Sequence, residues 1–366
     1  MPLLLIHFER FGPSHHARLE SARHALECEV RGLEIAPEGS VHGGELARGE
    51  GVTRVFASGS AQDYSGLKIA REVTRVLDEL KPDGIAISGF SSPDARACLK
   101  WCQENEARSI LMSETREADG DRVWWKEFLK KKTVSQFDAA LVGAKSHAAY
   151  LANFGLTKVH FGLNVVDHSS FVSVGEKAVP PVLLACSRFI PRKNLDALIT
   201  GYLRSEIEKT WSLCLLGDGE EREGLEKIAG DVKSCAPWED SGGQPAIYFP
   251  GVREAGEVPR FYAKASAFIH PALQEPWGLV INEAMAAGLP ILSSRNVGAA
   301  EELVDHGING WTFNPESVPE MAIYLEKLRR STAAERAEMG LASQRILAER
   351  CPTSAFGKGM AKALFG

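Results

Sequence analysis

The sequence predicts an α/β protein made of two doubly wound, Rossmann-like parallel sheets, and three observations carry that expectation. With 366 residues, the chain is too long for one ordinary α/β core and suits two domains of roughly 150 to 200 residues. Apolar runs of strand length alternate with helical stretches along most of its length, the pattern of strand-helix-strand units and hence of parallel sheets. Finally, several runs end in glycine turns that open the next helix, such as Gly12-Pro13-Ser14 and Gly217-Asp218-Gly219. Turns of that kind bring backbone amides to the C-terminal edge of a sheet, where open α/β proteins hold ligands.

Composition narrows the function classes. The formal net charge of −6 and the lack of an evident basic face argue against a general nucleic-acid binder. The seven cysteines are odd in number, scattered and without a CxxC pair, which disfavours a disulfide framework or a zinc ribbon and favours a reducing cytoplasm. The opening LLLI run is only a strand long and is followed by His7, Glu9 and Arg10, unlike a signal peptide. No apolar run approaches the roughly eighteen residues of a membrane span, so any membrane contact is expected to be peripheral.

In chain order, Pro2 to Phe8 reads as a buried first strand, and the Gly12 turn opens a helix through Ala17, Leu19, Ala22 and Leu26. His15, His16 and Arg18 in its first turn are candidates for reaching an acceptor or an anionic leaving group, with a solvated helix face as the alternative. Strands follow at 29–35, 51–57 and 84–88, with helices near 67–80 and 94–105. The next strand, Ser109 to Ser113, delivers Glu114, Arg116, Glu117, Asp119 and Arg122 to the same sheet edge. Arg122 to Lys132, RVWWKEFLKKK, sets Trp124, Trp125, Phe128 and Leu129 beside Arg122, Lys126, Lys130, Lys131 and Lys132. Such a helix suits peripheral contact with anionic lipid, but the favoured reading is an ordinary amphipathic helix that packs its aromatics on the sheet. A strand at 137–142 and a helix from Ser146 follow, and the first domain ends with 159–165, near residue 166. Residues 168–181, without periodicity, read as a linker.

The second domain, 182–350, starts with the strand Val182 to Cys186, the loop Ser187-Arg188-Phe189-Ile190-Pro191-Arg192-Lys193-Asn194 and a helix from Leu195. Further strands are expected at 211–216 and 247–250, the latter running into Gly251-Val252, and helices from near Glu220 and Glu257. Gly217-Asp218-Gly219 is no dinucleotide fingerprint, because the next glycine is Gly224. Then comes the most informative stretch, FIHPALQEPWGLVINEAMAAGLPILSSRNVGAAEELV from Phe268 to Val304. It reads as a strand, a loop, a helix that Gly288 and Pro290 stop, a second strand and a further helix. Glu275 and Glu283 stand eight apart around Gly278, where the helix opens. A helix start after a parallel strand offers unpaired amides and a positive dipole end, which suits a phosphate; the two acids would accept from hydroxyl groups on either side of it. After Gly310-Trp311, helices are expected at 319–330, 334–348 and 353–365.

This stretch resembles the E-x7-E segment of the retaining glycosyltransferases of family 4, through its acids, the preceding His-Pro, N-E-A-M-A-x-G-x-P and the later G-x-N-G-W at Gly307 to Trp311. The Arg188 and Lys193 pair, five apart after a strand, resembles the same family's second landmark, although Cys186-Ser187 and Asn194 replace common glycines. The resemblance implies the GT-B fold, two such domains facing across a cleft with residues 351–366 crossing back to the first. It also implies transfer of a sugar from a nucleoside-diphosphate sugar to an acceptor hydroxyl, in glycan, glycolipid or polysaccharide synthesis. Glu275, Arg188, Lys193 and Glu114 would act on the reacting sugar and diphosphate. Gly12, Gly217, Val252, Gly278, Leu279, Val280 and Glu283 would hold the donor, and no metal or further cofactor would be required. The alternatives are a nucleotide-sugar epimerase or phosphorylase of the same fold, and a non-catalytic sugar-nucleotide-binding subunit. The place expected for it is the cytoplasm, with peripheral contact at the inner face of the membrane as the further option.

Overall fold

A computed structural model describes residues 2–38, 50–120, 123–172 and 175–366, the side chain of Lys126 excepted. The chain divides into two units, Met1–Asp167 with Pro352–Gly366, and His168–Cys351.

In the first unit seven parallel strands, β1 (Leu3–Phe8), β2 (Glu29–Glu34), β3 (Val52–Arg54), β4 (Gly84–Ser88), β5 (Arg108–Ser113), β6 (Ala139–Val142) and β7 (Val159–Phe161), lie in the order β3-β2-β1-β4-β5-β6-β7. The intervening helices are α1 (Pro13–Ala25), α2 (Gly66–Leu80), α3 (Pro93–Glu104), α4 (Trp124–Val134) and α5 (Lys145–Ala152). All six residues of β1 are buried, as expected for a central parallel strand covered on both faces.

The second unit repeats the plan. Strands β8 (Val182–Cys186), β9 (Ser212–Leu216), β10 (Val232–Lys233), β11 (Ile247–Gly251), β12 (Ala267–His270), β13 (Ile291–Ser294) and β14 (Gly310–Phe313) are ordered β10-β11-β9-β8-β12-β13-β14, all parallel. Its helices are α6 (Leu195–Arg204), α7 (Arg222–Ala229), α8 (Val258–Lys264), α9 (Leu279–Ala286), α10 (Gly298–Leu303), α11 (Val318–Arg330) and α12 (Ala333–Arg350). In each sheet the strand order reverses beside the unit's first strand, between β1 and β4 and between β8 and β12. Those are the points where the following loops part and leave a crevice.

The last helix, α13 (Ala355–Phe365), packs on α1. Ser21 Oγ donates to the Thr353 carbonyl (2.7 Å) and accepts from Gly357 N–H (3.0 Å), while the Arg108 guanidinium reaches the Gly366 carbonyl at 3.0 Å. Residues His168–Phe171 form a single 3-10 turn of the second unit, with Phe171 edge-on to Tyr262 at 5.4 Å. Three short strands, β7, β10 and β14, are not marked as strands by the sequence. No helix among the described residues is long and apolar enough to cross a membrane.

One expectation is overturned. The aromatics of α4 do not pack on the sheet: Trp124 is 82% exposed, Trp125 48%, Phe128 66% and Leu129 53%. At 100° per residue these four share one side of the helix with Lys132, and the opposite side carries Val134, Glu127 and Lys130. Val134 is fully buried. Lys130 Nζ donates to Glu127 Oε1 (2.8 Å) and to Tyr150 Oη (3.2 Å), which ties that side to α5. Arg122 lies outside the described residues.

Candidate functional site

At the β8/β12 crevice a 3-10 turn, Pro191–Lys193, follows the loop after β8 and ends on Asn194 at φ 58° and ψ 36°. Asparagine tolerates this left-handed conformation better than most residues, which explains how it stands in for a glycine. Its side-chain amide adds what a glycine would lack, donating to the carbonyls of Pro271 (3.1 Å) and Pro315 (2.8 Å). With Leu273 N–H on the Arg192 carbonyl at 2.9 Å, this fixes the turn against the loop after β12.

That docking brings Lys193 onto Glu275. The Lys193 ammonium donates to Glu275 Oε2, and His270 Nε2, at the end of β12, lies 3.7 Å from the same oxygen. The side chains of Lys193 and Glu275 are 10% and 13% exposed, so the pair is largely withdrawn from water. Burial would raise the Glu275 carboxyl, but His270 and the Lys193 charge prevail and bring it down to about 2. Burial lowers the Lys193 ammonium, with Arg192 and Arg188 adding to the effect and Glu275 opposing it. Because the folded carboxyl is depressed, its contribution to stability is complete above the ordinary carboxylate range, about pH 4 to 5, and is lost as pH falls toward about 2. In acid titration followed by circular dichroism, Glu275→Gln should flatten that limb; a limb unchanged in slope would contradict the assignment.

Gly278 opens α9 at φ 95°, a conformation that favours glycine, and a Cβ there would lie 3.3 Å from Glu275 Cγ. Leu279 and Val280 then contribute the first-turn amides that have no partner within the helix. The loop is held by Glu275 and Gly298 (Gly298 N–H to Glu275 carbonyl, 3.1 Å) and by Trp277 Nε1–H on Asn282 Oδ1 (2.9 Å). One turn into α9, Glu283 accepts from Tyr262 Oη at 2.7 Å. Burial pushes the Glu283 carboxyl up, with the tyrosine hydrogen bond opposing. Burial and the neighbouring Glu283 push the Cys186 thiol up to about 12. The two acids therefore stand in contrasting environments, Glu275 against a cation and Glu283 against a phenol.

Arg188 is half-buried and, among the described residues, its guanidinium has no hydrogen bond or ion pair. The loop bearing it packs on the Gly217-Asp218-Gly219 turn, where Phe189 N–H donates to the Asp218 carbonyl at 2.8 Å. A Cβ on Gly217 would strike the Ser187 carbonyl. Close backbone packing thus accounts for that glycine. Val252 follows β11 and is 49% exposed.

In the first unit Glu114 follows β5, its Oε1 3.7 Å from Arg18 Nη2. Arg18 is buried, reaches Asn164 Oδ1 at 3.4 Å and lies over the Phe8 ring. Gly12 N–H donates to His15 Nδ1 at 3.0 Å, and the His15 ring stacks on Phe8 at 4.1 Å. Burial, Arg18 and His16 bring the His15 imidazole down to about 3, so it is neutral at physiological pH. The chain carries an Asp-x-Asp, Asp119-Gly120-Asp121. Asp119 accepts from Arg116 N–H (2.6 Å) and from Arg116 Nε–H (3.1 Å), and Asp121 lies outside the described residues. Among the described residues no group of three or more His, Cys, Asp or Glu side chains is placed to hold a metal ion.

The crevice therefore joins Lys193 and Glu275, with the α9 start next to them and Glu283 one turn on. Sequence reasoning did not assign His270 or Tyr262 a role. His270 had a signal in the His-Pro that ends β12; Tyr262 sits in α8 with no local motif to mark it.

Residues 168–345 match the family Glycosyl transferases group 1. The lipopolysaccharide core biosynthesis glycosyltransferase LpsE of Rhizobium meliloti is 31% identical over 169 residues, 45% of this chain and 45% of that protein. A GDP-mannose-dependent alpha-(1-6)-phosphatidylinositol monomannoside mannosyltransferase of Mycobacterium tuberculosis is 30% identical over 231 residues, 61% of this chain and 55% of that one. The chain spans about half the length of these two curated relatives. The crystal structure of HepE of Anabaena in complex with UDP and glucose aligns over 100% of this chain and 99% of its own, at TM-score 0.72 and 16% identity. At that identity the likeness shows the fold, two Rossmann-like α/β domains as in GT-B glycosyltransferases.

Proposed function

We propose that this chain, whose second unit carries a glycosyl transferases group 1 segment, is a retaining glycosyltransferase of the E-x7-E type. It moves a sugar from a nucleoside-diphosphate sugar to an acceptor hydroxyl in glycan or glycolipid synthesis. The observation that carries the reading is the Lys193–Glu275 pair set beside the α9 start at a strand-order reversal. Together they supply, within one unit, a cation, a hydroxyl acceptor and a positive helix end.

The chemistry follows from those groups. A diphosphate at the start of α9 meets the amides of Gly278, Leu279 and Val280, the point charge of Lys193 and the guanidinium of Arg188, which suits two phosphoryl oxygens at once. When Lys193 turns from Glu275 to the phosphate, Glu275 is released to accept from the sugar hydroxyls. Negative charge grows on the diphosphate as the glycosidic bond breaks, so these donors stabilise the transition state more than the ground state. The acceptor oxygen then arrives on the face the diphosphate leaves, and its hydroxyl proton passes to the departing phosphoryl oxygen as the new glycosidic bond forms. Glu283, already accepting from Tyr262, takes the nucleoside ribose, with Gly217 and Val252 lining the nucleotide side. Glu114 and Gly12, in the first unit, keep the parts that the resemblance gives them, Glu114 toward the reacting sugar and Gly12 toward the donor. HepE binds UDP, and the mycobacterial relative uses GDP-mannose, so donors of both kinds belong in the test.

Release of nucleoside diphosphate from UDP-glucose, GDP-mannose and related donors tests the reading. Release and a thermal shift are expected with at least one donor, and neither with any donor would overturn it. Lys193, Arg188 and the helix start together offset the diphosphate charge, so activity is expected to survive EDTA. Complete loss restored by magnesium or manganese would instead give the metal the part assigned to Lys193 and Arg188.

A further inference from the structure

We infer that the outer side of α4 is a docking surface for anionic membrane lipid. Trp124, Trp125, Phe128 and Leu129 are a run of large apolar side chains exposed on one side of a single helix, an arrangement that folding alone does not favour. Lys132 lies on the same side, Lys131 at its margin, and both are exposed. The 124–134 segment has four lysines and a single glutamate in a chain of net charge −6, and that glutamate, Glu127, is bound by Lys130 on the inner side. The outward side thus joins apolar rings to uncompensated positive charge.

Charge complementarity selects the occupant. Indole rings settle at the boundary between headgroups and acyl chains, the lysine stems lie along the apolar surface, and their ammonium groups meet lipid phosphate. A protein partner would have to be acidic and apolar at once, whereas a bilayer with anionic lipid presents both properties everywhere. The inference goes beyond sugar transfer and does not rest on it, since vesicle binding is read without turnover.

The test is flotation of the purified full chain with vesicles of phosphatidylcholine alone and of phosphatidylcholine mixed with phosphatidylglycerol, together with tryptophan fluorescence. Binding to the mixed vesicles is expected, with a blue shift, and weakening in high salt as screening shortens the reach of surface charge. Lys131→Gln with Lys132→Gln should weaken it by roughly fivefold per lysine, and Trp124→Ser with Phe128→Ser should weaken it at least as much. All four side chains are exposed, so both variants should keep the wild-type circular dichroism and melting temperature. No binding to the mixed vesicles, or equal binding by wild type and both variants, would overturn the inference. So would a wild-type dimer in gel filtration that the Trp124 and Phe128 changes make monomeric, because a second copy would then cover this side.

Discussion

Lys193→Ala lowers turnover by about 100-fold or more, the usual cost of removing one preorganised donor from a developing anion. The structure adds a complication, because Lys193 is also the ion-pair partner of Glu275. Removing one member of a withdrawn pair leaves a carboxylate whose remaining ion-pair partner among the described residues is His270, 3.7 Å away, and destabilises a fold by on the order of 3 kcal/mol. A drop in activity alone would therefore not separate a charge that acts on the diphosphate from a charge that keeps the crevice folded. The double variant Lys193→Ala with Glu275→Gln separates them. It removes the stranded charge, so its melting temperature should recover most of what the single variant loses, while turnover stays low. Turnover restored along with stability would show Lys193 to be a structural partner of Glu275, and the diphosphate contact would have to pass to Arg188.

Glu283→Gln and Glu275→Gln should move apart in opposite ways. Glu283 is half-buried against Tyr262 with no basic partner among the described residues, and desolvation pushes its carboxyl up. A carboxyl raised in the folded state contributes fully below the ordinary carboxylate range and loses that contribution as pH rises through the folded value. At neutral pH the wild type therefore carries a cost that glutamine avoids, while glutamine still accepts from Tyr262. Glu283→Gln should keep or raise the melting temperature, increasingly so as pH rises above the ordinary carboxylate range of about 4, and yet bind free nucleoside diphosphate about tenfold or more weakly. Glu275→Gln should do the reverse. It removes the acid that Lys193 and His270 hold as a carboxylate, lowering stability at neutral pH. Affinity for nucleoside diphosphate is nearly kept, and turnover falls through lost contact with the sugar. Calorimetry and melting curves across pH read both arms. If Glu275→Gln weakens diphosphate binding as much as Glu283→Gln, the first acid touches the nucleotide and the donor must lie reversed.

Sequence by itself determined the two parallel-sheet units and marked the span of the candidate site. Strand periodicity and glycine turns are local, and a parallel strand such as Leu3–Phe8, buried on both faces, writes its environment into consecutive apolar residues. Glu275, Gly278 and Glu283 were legible because the loop and first turn of one helix fix their spacing, and Arg188 and Lys193 because one loop carries both. Only the tertiary structure decided what each of them touches. The Lys193–Glu275 pair joins residues 82 apart, and it forms because β8 and β12 are neighbours and Asn194 locks their loops. Tyr262 and His270 entered the site the same way, through strand order, which no local pattern encodes. The aromatics of α4 show the converse. Their helical spacing specifies a side of the helix, but not whether that side meets the sheet or water, since the same stripe satisfies either. Val134 and the Lys130–Tyr150 contact chose the inner side, and the tryptophans were left outside.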